Sequence, residues 1–201
     1  VGGALVGGLA GKYMGHQFDP DALKELTVGM GPNTSAILVV LEDKAAQASL
    51  GNVTPQQFAT QAAEGGLAEV QLSQLAQKQA NSAEVRQFAD RMVTDHGAAN
   101  TELMAIAKKK NMTLPKSPNA EHQATMKTLQ GKKGADFDAA YMAAMKKDHV
   151  KSIALFQAAT GPSFTDSELK EFASKTLPVI QEHHTMIEHS DGQSSGAAAS
   201  R

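Results

Sequence analysis

The sequence predicts an all-α fold, a four-helix bundle preceded by a short Gly-rich α+β segment. Three observations carry that expectation. Apolar residues recur at a spacing of three and four in four long stretches between residues 54 and 190. Caps, prolines and glycines punctuate the ends of those stretches. The links inside the first and second pairs are short, whereas the link between the pairs is long.

The elements follow in order. Residues 1–50 open with "VGGALVGGLAG", in which Gly3, Gly7 and Gly11 make a small-xxx-small face suited to close helix packing; a flexible glycine linker is the alternative. The run is well short of the roughly 20 residues that span a bilayer. Because the chain begins at Val1, we expect a processed, trimmed or incomplete N-terminus. After the turn signal "GMGPN", the aliphatic run Ser35–Leu41 predicts a strand. A lone strand leaves its edges unpaired, so residues 35–41 would pair with another copy, a partner or upstream sequence.

The bundle is expected over residues 54–190. Thr54-Pro55 supplies a cap and a first-turn proline for the first helix. Asn81-Ser82 breaks it and caps the second, which runs to "KKKN" before Pro115 and Pro118. A connector with a short helical stretch, "NAEHQATMKTLQ", leads to the third helix, opening at Asp136 and stopped by Gly161-Pro162. "TDSE" reads as a capping box for the fourth, with Thr165 as cap and Glu168 reaching back. Two antiparallel hairpins joined by a crossover result, which is the ferritin-like connection. Residues 191–201, "DGQSSGAAASR", are expected to be a disordered tail.

Composition narrows the function. Lys+Arg 19 against Asp+Glu 21 gives a net charge of -2, so no basic field for nucleic acid exists. The absence of cysteine removes disulfides, thiolate metal ligands and thiol nucleophiles. No nucleophile-base pair or phosphate loop is apparent, and no catalytic residue is assigned.

Each apolar stripe is interrupted once by a group able to ligate a metal. In the first helix the stripe is Phe58, Ala62, Gly65, Glu69, Leu72, Ala76, and in the second Val85, Ala89, Met92, His96, Ala99, Leu103, Ile106. The third has Met142, Met145, His149, Ser152, Phe156, and the fourth Leu169, Ala173, Thr176, Ile180, His183, Ile187. Counted from the first turn, Glu69 and His96 lie within one helical turn of each other; His149 and His183 are mismatched by roughly 7 Å unless Pro178 bends the helix. One Glu and three His would suit Zn, Mn, Fe or Cu, or they could form a self-satisfied polar network. Asp95 and Asp148, about 100° off the stripes, would be acceptors orienting a neighbouring helix's imidazole, or plain surface carboxylates. Glu182, His184, Glu188 and His189 are alternative ligands, whereas Met92, Met142 and Met145 read as core and His16 and His122 receive no role.

The segments "FATQAAEGGLAEVQLSQLAQKQANSAEVRQFADRMVTDHGAANTEL", "GADFDAAYMAAMKKDHVKSIALFQ" and "LPVIQEHH" resemble the bacterial domain-of-unknown-function 4142 family over about residues 54–190. The resemblance implies a ferritin-like fold and a periplasmic or outer-membrane location in the cell envelope. The family's characteristic polar positions fall on Glu69, Asp95, His96, His149 and His183. The Glu-x-x-His motif expected on two helices of a di-iron ferritin is missing, which weakens a di-iron oxidase reading. Residues 1–50, through "FDPDALKEL" and "GPNTSAILVVLED", resemble part of the domain-of-unknown-function 1269 group of membrane proteins. The leading expectation is an envelope bundle with an internal metal site. The alternatives are a non-catalytic stress or membrane-associated interaction protein, and a metal-dependent oxidoreductase acting on oxygen or peroxide.

Overall fold

The computed structural model describes residues 53–198, with side chains to residue 190. All regular structure in that range is helical: α1 (Pro55–Gln79), α2 (Ala83–Lys109), α3 (Ala120–Gln130), α4 (Gly134–Thr160) and α5 (Ser167–Ala198). The Gly3/Gly7/Gly11 face and the expected strand over 35–41 lie outside the described residues. So does the whole of the segment 1–50, and with it the resemblance to the membrane-protein group.

Local chemistry sets the helix ends. Thr54 accepts from Gln57 N while the Gln57 side chain returns to the Thr54 backbone, closing a capping box ahead of Pro55. Ser82 caps α2 through Val85 N, and Asn119 caps α3 through His122 N. No side chain caps α4, which begins two residues before the expected Asp136, at a glycine with φ +59°. The fourth long helix departs from the expected box: Asp166, not Thr165, accepts from Leu169 N at 3.0 Å. Glu168 pairs with Lys109 and Lys110 of α2 instead of reaching back. The backbone of 191–198 is helical, where a disordered tail was expected. No proline follows Pro178, and a continuing helix satisfies its own backbone groups.

α1 packs on α2 and α4, and α5 packs on α4 and α2. Two apolar clusters divide the interior by height. One gathers Phe58, Leu103, Ile106, Phe156, Phe164, Leu169, Phe172 and Ile180. The other gathers Leu72, Ala76, Val85, Phe88, Met92, Phe137, Tyr141, Met145 and Ile187. α1 and α5 run from the first cluster to the second, while α2 and α4 run back. The connection between α2 and α4 therefore joins two helices of the same direction, and it carries α3 on the way. Between the clusters, each long helix contributes a buried titratable residue to one layer: Glu69, His96, His149 and His183. The expected mismatch of His183 is absent. Asp166 and Glu168 hold the start of α5 level with Lys109 and Lys110 at the end of α2, so packing against α2 sets its height rather than the link from α4.

Candidate metal centre

Glu69 is 2% exposed, His96 5%, and His149 and His183 0%. Burying such groups is unfavourable unless each finds a partner. Most of the partners are well defined. His96 Nδ1 lies 2.9 Å from Glu69 Oε2. His183 Nε2 lies 2.8 Å from Asp95 Oδ2. His149 Nδ1 lies 2.9 Å from the Met145 carbonyl and 3.5 Å from Glu69 Oε1. His96 Nε2 and His183 Nδ1 are 3.2 Å apart.

Acceptor chemistry assigns the protons. A carbonyl only accepts, so His149 carries its hydrogen on Nδ1 and keeps a lone pair on Nε2. The carboxylate of Asp95 takes the hydrogen of His183 Nε2, which leaves the His183 Nδ1 lone pair facing His96. His96 then donates from both nitrogens, to Glu69 and to His183, and is an imidazolium paired with a carboxylate. The electrostatics agree. Burial pushes the Glu69 carboxyl up, but the charge and hydrogen bond of His96, with His149 and His183 behind it, hold it down at about 2. Burial works against a charged His96 too, yet the Glu69 charge and hydrogen bond raise it above the usual imidazole value. For His149, burial dominates and, with the charges of His96 and His183, brings it to about 4 despite Glu69. Burial also lowers His183, more than its bond to Asp95 restores.

One atom stands out: His149 Nε2 is buried and has no hydrogen-bond partner among the described residues. His96, His149 and His183 each offer one nitrogen, and these nitrogens lie within 4.8 Å of one another. Two nitrogens on one tetrahedral Zn-type ion are about 3.3 Å apart, given metal–nitrogen bonds of about 2.0–2.1 Å. The His96–His183 separation of 3.2 Å matches that value. Glu69, expected as a fourth ligand, is not in this group: it lies behind His96, bound to its other nitrogen.

The expected supporting carboxylates divide. Asp95 orients the imidazole of a neighbouring helix, and Arg91 holds it in turn through Nε at 3.2 Å. Arg91 also reaches Glu182 at 2.7 Å. Burial pushes the Asp95 carboxyl up, but the His183 bond and Arg91 bring it below its ordinary value. Asp148 is neither a surface carboxylate nor a partner of the three imidazoles: it is buried and faces His122 of α3 at 3.6 Å. The Asp148 carboxylate leads in raising the His122 imidazole, against burial. His122, given no role from sequence, is thus part of the packed structure. Its signal was weak, since only docking of the crossover brings it to α4. Arg91 was also missed, although it stands four residues before Asp95, the spacing of a helical ion pair. Of the alternative ligands, Glu188 pairs with Lys146 at 2.7 Å and lies 3.8 Å from His184, while Glu182 is taken by Arg91. Met92, Met142 and Met145 are core, as expected.

A family model described as "Domain of unknown function (DUF4142)" matches residues 40–189, extending upstream of the expected start at 54. No curated protein matches. Among solved structures, a candidate secreted protein, DUF305, from Streptomyces coelicolor is similar at 14% identity with a TM-score of 0.56. The likeness covers 67% of this chain and 90% of that one, and it bears on the fold alone.

Proposed function

The chain belongs to the DUF4142 family, and from its buried imidazole cluster we propose that it is a ferritin-like bundle of the cell envelope binding one transition-metal ion. The observation that carries this reading is the pairing pattern of the three imidazoles. Each has one nitrogen bonded to a protein acceptor, Glu69, Asp95 or the Met145 carbonyl, and each turns the other inward. That is how metal-binding histidines are oriented, with an acceptor on one nitrogen and the far one turned to the ion; His96 Nε2, which donates to His183 in the metal-free chain, gives up that proton on binding. In this proposal His96 Nε2, His183 Nδ1 and His149 Nε2 are the ligands. Glu69 holds His96, and Asp95 with Arg91 holds His183. A nitrogen-rich set of three suits Zn, Cu, Fe or Mn and leaves coordination positions open for a further small ligand.

The envelope location rests on the family resemblance and on the description of the DUF305 relative as secreted, which is said of that protein. No helix among the described residues is long and apolar enough to cross a membrane. Contacts with a second copy, a membrane or a partner helix through Gly3, Gly7, Gly11 and residues 35–41 belong to this proposal too.

A second reading, a core polar network without metal, is favoured by the His96–His183 hydrogen bond. It accounts for His96 and His183 and for one oxygen of Glu69, but it leaves His149 Nε2 and Glu69 Oε1 buried without a partner. The test is calorimetric titration of the chelator-treated, untagged chain with Zn, Mn, Cu and Fe(II). One site per chain is expected, lost in His149→Gln and His183→Gln and weakened several-fold in Asp95→Asn. Affinity falls on acidification through the imidazole range, because protons compete for the same nitrogens. No binding at micromolar metal leaves the network reading standing.

A further inference from the structure

Beside the imidazoles, on the side of the phenylalanine-rich cluster, lies a cavity of about 20 Å³. Phe156, Phe172 and Ile180 line part of it with purely apolar surface. Ala62, Ala99 and Leu103 extend that apolar wall, and its polar part is Glu69 of α1, His96 and Asn100 of α2, Ser152 of α4 and Thr176 of α5. All four long helices thus bring hydrogen-bonding side chains to the same small space.

His96 is engaged with Glu69 and His183, and the other groups have no partner on that side. Glu69 Oε1 is fully buried with no hydrogen-bond partner, its approach to His149 Nδ1 being 3.5 Å. The side chains of Asn100, Ser152 and Thr176 make no hydrogen bond or ion pair among the described residues. Glu69 and Thr176 are buried, Asn100 and Ser152 half-buried, and buried polar groups are almost always paired, by protein or by ordered water. The close approach of Asn100 also depends on a specific residue. A Cβ at Gly66 would lie 2.0 Å from Asn100 Oδ1, and at Gly65 it would face Ser152 Oγ at 4.0 Å. Two adjacent glycines inside a helix are unfavourable for its stability, and here they admit polar side chains against α1.

We propose that the cavity is a binding site for one water molecule, which donates to Glu69 Oε1 and is held by Asn100, Ser152 and Thr176. The size fits: about 10–15 Å³ of such space is enough for one water, which needs two to four polar partners. Hydroxyls and the carboxamide can each donate or accept, so all partners are satisfiable together. The bound water completes the hydrogen bonding of a carboxylate whose other oxygen holds His96. Asn100, Ser152 and Thr176 are therefore positioning residues for Glu69, acting through the water. The site stands on the geometry of the metal-free protein and does not require the metal reading to hold.

The experiment is water ¹⁷O magnetic relaxation dispersion on the full chain after chelation, comparing wild type with Ser152→Val, whose larger side chain fills the cavity. The expected result is a loss of dispersion amplitude equal to one long-lived internal water, with circular dichroism unchanged. Unchanged amplitude in the folded variant overturns the proposal. Should Ser152→Val fail to fold, Thr176→Val keeps the shape and removes a hydroxyl. Loss of one long-lived water then supports the site, and unchanged amplitude overturns it.

Discussion

At the scale of single residues, the protons of the imidazole layer dictate how stability responds to pH. His149 is the clearest case, since burial holds it at about 4 in the folded chain against 6.5 as its ordinary value. On acidification from 6.5 toward 4 the unfolded chain takes up a proton there that the folded chain refuses, so stability falls through that window. The lowering corresponds to about 3 kcal/mol by pH 4, one pH unit being about 1.4 kcal/mol. His96 has the opposite sign. Its folded value is raised, so its contribution is complete below 6.5 and fades as pH rises through the folded value. Glu69, held at about 2, contributes above its ordinary value of 4.5 and loses that contribution as pH falls through 2. We expect urea melts of the metal-free chain to show a steep loss of stability between pH 6.5 and 4.5, and a shallower one in His149→Gln. Equal slopes would remove His149 as the cause. Glu69, His96, His149 and His183 were legible in the sequence because each interrupts an apolar stripe. Asp95 was legible as an acceptor for a neighbouring imidazole. Asp148 was not, because its partner His122 arrives on α3, and helical periodicity carries no information about how a crossover docks.

At the scale of elements, the start of α5 shows where local signals stop deciding. Thr165, Asp166 and Ser167 stand side by side, and each is a good N-cap residue. The choice falls to Asp166, which both accepts from Leu169 N and pairs with Lys110 at 2.9 Å. The capping signal in the sequence was therefore sound, and its assignment to Thr165 was off by one residue because the deciding partner sits on α2. Removing a cap of this kind destabilises by about 1 kcal/mol. Asp166→Ala should lower the thermal midpoint by several degrees, while Thr165→Ala, outside the cap, should leave it nearly unchanged. Thermal melts of the two variants side by side check this, and the reverse order would return the cap to Thr165. The cap of α1 needed no such arbitration, since "TPQQ" places Thr54 alone ahead of the first turn, whereas of Asn81 and Ser82 in "NSAE" the structure uses Ser82.

At the scale of the whole molecule, the helix order and the four stripes follow from periodicity, but the common height of the polar layer does not. Counting residues from the link between α4 and α5 sets His183 too far along, whereas ion pairs between α2 and α5 bring the helix into level. The result is an interior with two apolar halves and one polar floor between them. Among the described residues, Val53 is the earliest member of the first cluster and Ile187 the last of the second. Caps for α1, α2, α3 and α5 lie inside the same span. A chain of residues 52–190 should therefore fold alone, with the helical circular dichroism of a bundle and a single cooperative thermal transition. Because all three imidazoles, Glu69, Asp95 and Arg91 are in that span, it should also bind metal with the stoichiometry of the full chain. A broad, non-cooperative melt would mean that residues 1–51 complete the core. A cooperative melt without the binding seen in the full chain would mean instead that the upstream segment helps shape the site.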